Sequence, residues 1–224
     1  MILVDRDLVE VFRQKIIDWY SVYGVQDLPW RSTTNPWHIL VAGLLLKNTR
    51  VEQVTRVYQK FLDRFPNPKA LSDADTEEVK DIIYSLGMQN RRAVELKKLV
   101  QIVVERFKGS IPCSRELLKE LPGVGKYIAS EVLLVACSQP MPLLDRNMAR
   151  VLGRVFLGVD PKVISSELQF LAESIVPRDS QEAKRFNYGI LDMAREICRP
   201  RNPRCVRCPV NEMCTYYRKS RHIA

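Results

Sequence analysis

Leu121-Pro122-Gly123-Val124-Gly125 separates two stretches of helical spacing, Arg115 to Glu120 before it and Ile128 to Ala136 after it. The passage reads as a helix, a tight hairpin and a second helix. Both glycines permit positive φ and close backbone approach, and the following helix presents unpaired N–H groups at its positive end, a cradle for a phosphate. On its own, a glycine turn is equally an ordinary connection between helices. Its meaning depends on the rest of the chain.

Outward from the hairpin, apolar residues recur every three or four positions in nearly every segment, with no sustained period-two alternation between hairpin turns. The chain is expected to be all-α, with about ten helices and short connections. Asn90 to Phe107 is the clearest case: Ala93, Leu96, Val100, Val103 and Phe107 line one face, and Arg91, Arg92, Glu95, Lys98 and Glu105 occupy others. Asn35-Pro36 reads as a cap followed by proline in the first turn, and Ser72, Thr76 and Ser114 are further candidate caps. Prolines mark joints, but no Gly/Ser linker, internal repeat or low-complexity segment divides the chain.

The C-terminal part abandons this pattern. Between Arg195 and Cys214, apolar periodicity gives way to cysteine, proline and arginine, so something other than a hydrophobic core must hold the segment. Cys198, Cys205, Cys208 and Cys214 stand with six, two and five residues between them in a loop of 17. Four thiolates so close in sequence can close around one centre, either zinc or an iron–sulfur cube. Structural zinc usually takes two separated Cys-x-x-Cys pairs, whereas one central pair flanked by two lone cysteines tilts the spacing toward the cube. Arg199, Arg201, Arg204 and Arg207 lie between the ligands and make the loop a candidate phosphate-binding surface. Cys113 and Cys137 read as ordinary structural thiols.

The 224 residues carry 35 Lys and Arg against 26 Asp and Glu, a formal charge of +9, which suits a polyanionic partner without specifying one. The N-terminal apolar stretch is too short for a secretory signal, and the longest apolar run, Ile39 to Leu46, is far short of a membrane span. An intracellular protein of the cytoplasm or nucleoid is expected. There is no nucleotide triphosphate loop or Ser–His nucleophile pairing; His38 and His222 read as a packing and a tail residue.

Asp145 follows Pro142-Leu143-Leu144 and precedes the helical stretch Arg146 to Leu152. An aspartate there caps the helix and meets its dipole, for about 1 kcal/mol of stability. By itself it needs no other role.

In combination, the hairpin, an aspartate 18 residues after Tyr127 and the four-cysteine loop resemble the helix-hairpin-helix (HhH-GPD) iron–sulfur DNA glycosylases, the kind that includes endonuclease III and MutY. The likeness runs from about Leu28 to Tyr217. It implies two helical domains flanking a DNA-binding cleft, with residues 24–136 holding the helix-hairpin-helix motif and residues 1–23 plus 137–224 holding a C-terminal [4Fe-4S] cluster loop. It also implies that Cys198, Cys205, Cys208 and Cys214 ligate that cluster, with a structural role in DNA binding, since base hydrolysis requires no electron transfer.

The same resemblance makes Asp145 the catalytic carboxylate. Breaking a glycosidic bond builds positive charge on the sugar, which a nearby anion stabilises while it orients or deprotonates the nucleophile. Asn147 would orient that carboxylate or contact substrate. Tyr127 stands where bifunctional members carry a nucleophilic lysine; it forms no Schiff base but offers a face for a flipped base. Lys126 is rotated by about 100° from it on the helix, toward a phosphate. The resemblance further places Gly123, Gly125, Arg201 and Arg204 on the DNA backbone, Met88 in the gap left by an extruded nucleotide, and Lys47 and Asn48 facing the opposing guanine.

The MutY branch has a glutamate where this chain has Gly43, and a further C-terminal domain. Pro29-Trp30-Arg31, Asn35-Pro36-Trp37, Leu86 to Ala93, Gly125-Lys126-Tyr127 and Asp145-Arg146-Asn147 look most like the archaeal Mig-type thymine-DNA mismatch glycosylases. The expected activity is therefore monofunctional removal, by a monomer, of thymine or uracil opposite guanine in double-stranded DNA. The alternatives are a lyase-competent pyrimidine-damage enzyme, a MutY-like adenine glycosylase, and a non-catalytic iron–sulfur DNA-binding protein.

Overall fold

The computed structural model describes residues 5–221, among which there is no strand; His222 lies outside them. Twelve α-helices occur among the described residues rather than about ten. In chain order they are α1 (Arg6–Tyr23), α2 (Pro36–Leu46), α3 (Val51–Arg64), α4 (Pro68–Asp73), α5 (Thr76–Ile83), α6 (Gln89–Phe107), α7 (Arg115–Glu120), α8 (Lys126–Val135), α9 (Arg146–Leu152), α10 (Ser166–Ile175), α11 (Ser180–Glu196) and α12 (Thr215–Arg221). None is long and apolar enough to cross a membrane.

The chain forms two compact units. One is Gln26–Cys137; the other joins Met1–Val25 to Ser138–Ala224. In the first, α2 is apolar on all sides and is buried against α3 and α8, as a central helix must be. At Gly43, α2 and α8 are close enough that a Cβ would meet Ile128 of α8 at 3.1 Å. Helix α6 packs on α4 and α5 through Ala93, Leu96, Leu99, Val100 and Val103. In the second unit, α1 and α9 pack on α11, α10 packs on α9, and a π-helical turn at Gly153–Leu157 carries α9 toward α12.

The helix starts follow elementary capping chemistry. Asn35 accepts from the N–H groups of Trp37 and His38, and Ser114 accepts from that of Leu117. Ser72 and Thr76 are not caps: Ser72 lies inside α4, which Asn67 caps, and Asp75 caps α5 one residue before Thr76. Of the two hairpin glycines only Gly123 is left-handed, with φ 80°. Gly125 is extended at the start of α8, so its use is open space beside the backbone rather than an unusual dihedral.

Cys113 and Cys137 are not separate thiols. They form a disulfide with Cα atoms 5.8 Å apart and a sequence separation of 24, closing a loop around α7, the hairpin and α8. A loop of that size restricts the unfolded chain by about 3 kcal/mol. Replacing both cysteines by serine is expected to lower stability by that amount in chemical denaturation, and adding a reductant to the unaltered protein should have the same effect.

Candidate active site

Asp145 begins α9. Its Oδ1 accepts from the backbone N–H groups of Asn147 and Met148, each at 2.8 Å, and its Oδ2 accepts from the Asn147 side-chain amide, also at 2.8 Å. The carboxylate is half-buried, held by three donors yet open on one side. The segment that delivers it is anchored by Asn187 of α11, a fully buried side chain that donates to the carbonyls of Met141 and Ala183 and accepts from the N–H of Leu143. Nothing in the sequence pattern marked Asn187, whose partners at Met141 and Leu143 lie more than 40 residues away.

Asn147 faces two ways. Its amide oxygen accepts from Arg150 at 3.1 Å, and Arg150, itself buried, donates to the carbonyls of Ala194 and Cys198. A hydrogen-bonded strut thus runs from the Asp145 carboxylate to the backbone of the first loop cysteine.

Cys198, Cys205, Cys208 and Cys214 are free and border one cavity with Arg154, Tyr216 and Tyr217. No three of the described His, Cys, Asp and Glu side chains are grouped to hold a single metal ion. Four thiols spaced around a cavity instead suit a cluster that takes one cysteine at each iron. Burial pushes the Cys208 thiol up to about 12, and the neighbouring sulfurs push the same way. Ligation needs the thiolate form, which burial and the neighbouring sulfurs disfavour until a cation is bound.

Arg154 brings a buried positive charge against that set. It is 3 % exposed, donates to Cys198 Sγ at 3.5 Å and to the carbonyls of Arg199 and Pro200, pairs with Asp160 at 2.5 Å and lies over the Tyr216 ring. Burial works against its charge, but the hydrogen bonds and charges of Cys198 and Asp160 prevail and raise its pKa. Arg201, Arg204 and Arg207 are exposed on the same loop.

In the other unit, the hairpin leads into α8, with Gly125 and Lys126 exposed and Tyr127 half-buried. Lys47, Asn48 and Met88 come together around a recess that they share with Arg91, Arg92 and Glu95. Lys47 and Arg91 both face Glu95, at 3.9 and 3.0 Å. These are exposed pairs of little energetic weight. Arg92 does not lie on the solvent face of α6 as the periodicity suggested, but is buried. His38 is partly exposed near the start of α2, and its backbone carbonyl accepts from the Tyr58 hydroxyl.

Residues 41–176 match the HhH-GPD superfamily of base excision DNA repair proteins. The chain belongs to that superfamily. Residues 198–214 match the iron–sulfur binding domain of endonuclease III, so the four-cysteine loop is an iron–sulfur site carrying a [4Fe-4S] cluster. The chain is 53 % identical to a thymine-DNA glycosylase of Aeropyrum pernix, covering 97 % of this chain and 99 % of that one. It is 52 % identical to a thymine/uracil-DNA glycosylase of Pyrobaculum aerophilum, covering 95 % and 94 %. A solved thermostable thymine-DNA glycosylase superposes with a TM-score of 0.89 at 32 % identity, covering 95 % of this chain and 98 % of that one. Membership of the HhH-GPD superfamily makes the protein a DNA repair enzyme with DNA as its partner.

Proposed function

We propose that the protein is a monofunctional DNA glycosylase, acting as a monomer, that hydrolyses the N-glycosidic bond of thymine or uracil mispaired with guanine. The observation that carries this is the Asp145 carboxylate, fixed by three donors at the start of α9 while still half-open to solvent. As the bond to the base breaks, the bonding pair leaves with the base and positive charge grows on the sugar. Asp145 stabilises that charge and takes a proton from the water whose oxygen joins the anomeric carbon. Asn147 keeps the carboxylate turned toward this task.

Two features set the outcome. Tyr127 occupies the position of the nucleophilic lysine of lyase-competent relatives and has no amine to attack the sugar. Gly43, where a Cβ would meet the Ile128 side chain at 3.1 Å, has no acid to protonate a departing adenine. The high identity to relatives named for thymine and uracil supports the same substrates. A mispaired pyrimidine is also cheaper to extrude, because its pairing is already weak.

When bound, the cluster cross-links the loop of Cys198, Cys205, Cys208 and Cys214, presenting Arg201 and Arg204 to the phosphate backbone. The hairpin glycines and Lys126 hold the strand, Met88 fills the vacated space and Lys47 and Asn48 meet the opposing guanine.

Labelled duplexes containing G·T, G·U, adenine opposite 8-oxoguanine or an oxidised pyrimidine provide the test, with and without alkali. Alkali-labile sites at thymine and uracil opposite guanine are expected. Strand nicking without alkali would overturn the monofunctional assignment, and release of adenine alone would overturn the substrate.

A further inference from the structure

Arg92 is 8 % exposed, and each of its five N–H groups has an acceptor. Nε donates to the Gly87 carbonyl at 3.1 Å. Nη1 donates to the carbonyls of Leu44 and Leu45 at 3.2 and 3.3 Å, and Nη2 to the Lys47 carbonyl at 2.7 Å and to Thr49 Oγ1 at 2.5 Å. Capping the negative end of α2 explains the bonds to Leu44 and Leu45. It does not explain why the same guanidinium also bonds Gly87, in the turn that leads into its own helix α6.

Both segments it joins contain a left-handed residue that is not glycine: Asn48 at φ 58° and Met88 at φ 54°. Such backbone persists only where surrounding contacts over-determine it. At Met88 the consequence is an apolar side chain 52 % exposed to solvent, next to exposed Lys47 and Asn48 around one recess. A planar fork with five fixed donors can hold two backbones at a set separation; a lysine, with three donors on a single nitrogen, cannot reproduce the pattern.

We propose that Arg92 is a positioning residue for DNA distortion. By joining residues 44–49 to Gly87, it fixes the separation at which Lys47 and Asn48 on one side and Met88 on the other enter a duplex from which a nucleotide has been turned out. The assignment of those three side chains to the opened duplex rests on the glycosylase reading above. The role of Arg92 is to set their geometry, without touching DNA.

The test compares the unaltered protein with Arg92→Met, Arg92→Lys and Thr49→Val, each first checked for its melting temperature and cluster absorbance. Fluorescence anisotropy then measures affinity for an intact duplex and for one carrying a tetrahydrofuran abasic analogue opposite guanine. The unaltered protein should favour the abasic duplex at least tenfold. Arg92→Met should cut that preference to less than threefold while its affinity for intact DNA, governed by phosphate contacts, changes no more than twofold. Arg92→Lys should lie between.

Thr49→Val, which removes a single acceptor, should lower the preference about threefold, and it decides the matter should Arg92→Met not fold. Retained preference in the folded variants, a parallel loss on both duplexes, or no preference in the unaltered protein would each overturn the proposal. Base release from a G·U duplex is measured alongside. Its absence in the unaltered protein would remove the glycosylase reading, and the binding ratio would still judge Arg92.

Discussion

Asp145→Asn is expected to leave a folded protein that still binds mismatched DNA but releases base at least about a thousandfold more slowly, equivalent to about 4 kcal/mol of transition-state stabilisation. The substitution separates the two roles of one side chain. Asparagine caps helices as well as aspartate does, so its carbonyl oxygen can still accept from the N–H groups of Asn147 and Met148. The charge opposite the sugar is lost. So is the second acceptor, leaving a new amide facing the Asn147 side chain, which cannot turn over without abandoning Arg150. That local conflict should cost about 1–2 kcal/mol of stability, visible as a modest fall in melting temperature. Single-turnover base release, together with an affinity measurement on the same mismatch, checks the expectation. Activity within tenfold of the unaltered protein would refute the catalytic role of Asp145, whereas binding and release lost together would point to a structural one.

The second large effect is expected at the loop cysteines. Cys208→Ser should abolish iron binding and the broad visible absorbance near roughly 400 nm, and destabilise the C-terminal segment by several kcal/mol, as loss of a structural metal does. Apart from the bonds of Arg150 and Arg154 to residues 198–200 and the buried Val210, the loop has little to hold it: Val206 is 80 % exposed, and a few turn-type backbone bonds such as Arg204 to Ile197 close the chain. Without the cluster, Arg201 and Arg204 lose their fixed positions. Affinity for duplex DNA should then drop at least about tenfold at moderate salt, and the slope of log affinity against log salt should shrink by about two, one unit for each lost phosphate contact. Iron analysis, absorbance and a salt titration measure these effects. A colourless variant that bound DNA with an unchanged salt slope would show that the arginine loop does not grip the strand.

What was legible in the sequence is what local chemistry dictates. Asp145 could be read as a cap because a short acidic side chain before a helical stretch has few other uses, and the four cysteines because no core pattern accompanied them. Other residues take their meaning from partners far along the chain. Arg92 sits at a spacing that says solvent, and only the carbonyls of residues 44–47, more than 40 positions earlier, make its burial favourable. Asn187 and Arg150 are polar residues inside helices, unremarkable until tertiary structure brings acceptors to them. Cys113 and Cys137 could not be paired by counting, since a bridge depends on the distance between two backbones. The left-handed backbone at Asn48 and Met88 carries no glycine to announce it.

The bridge between Cys113 and Cys137 has a topological consequence. The hairpin belongs to a closed covalent ring rather than an open thread. Unravelling of the chain beyond Ser138, or fraying of the end of α6 near Phe107, cannot draw the two sulfurs apart. The two ends of the segment assigned to gripping the strand stay tied together when the chain on either side frays.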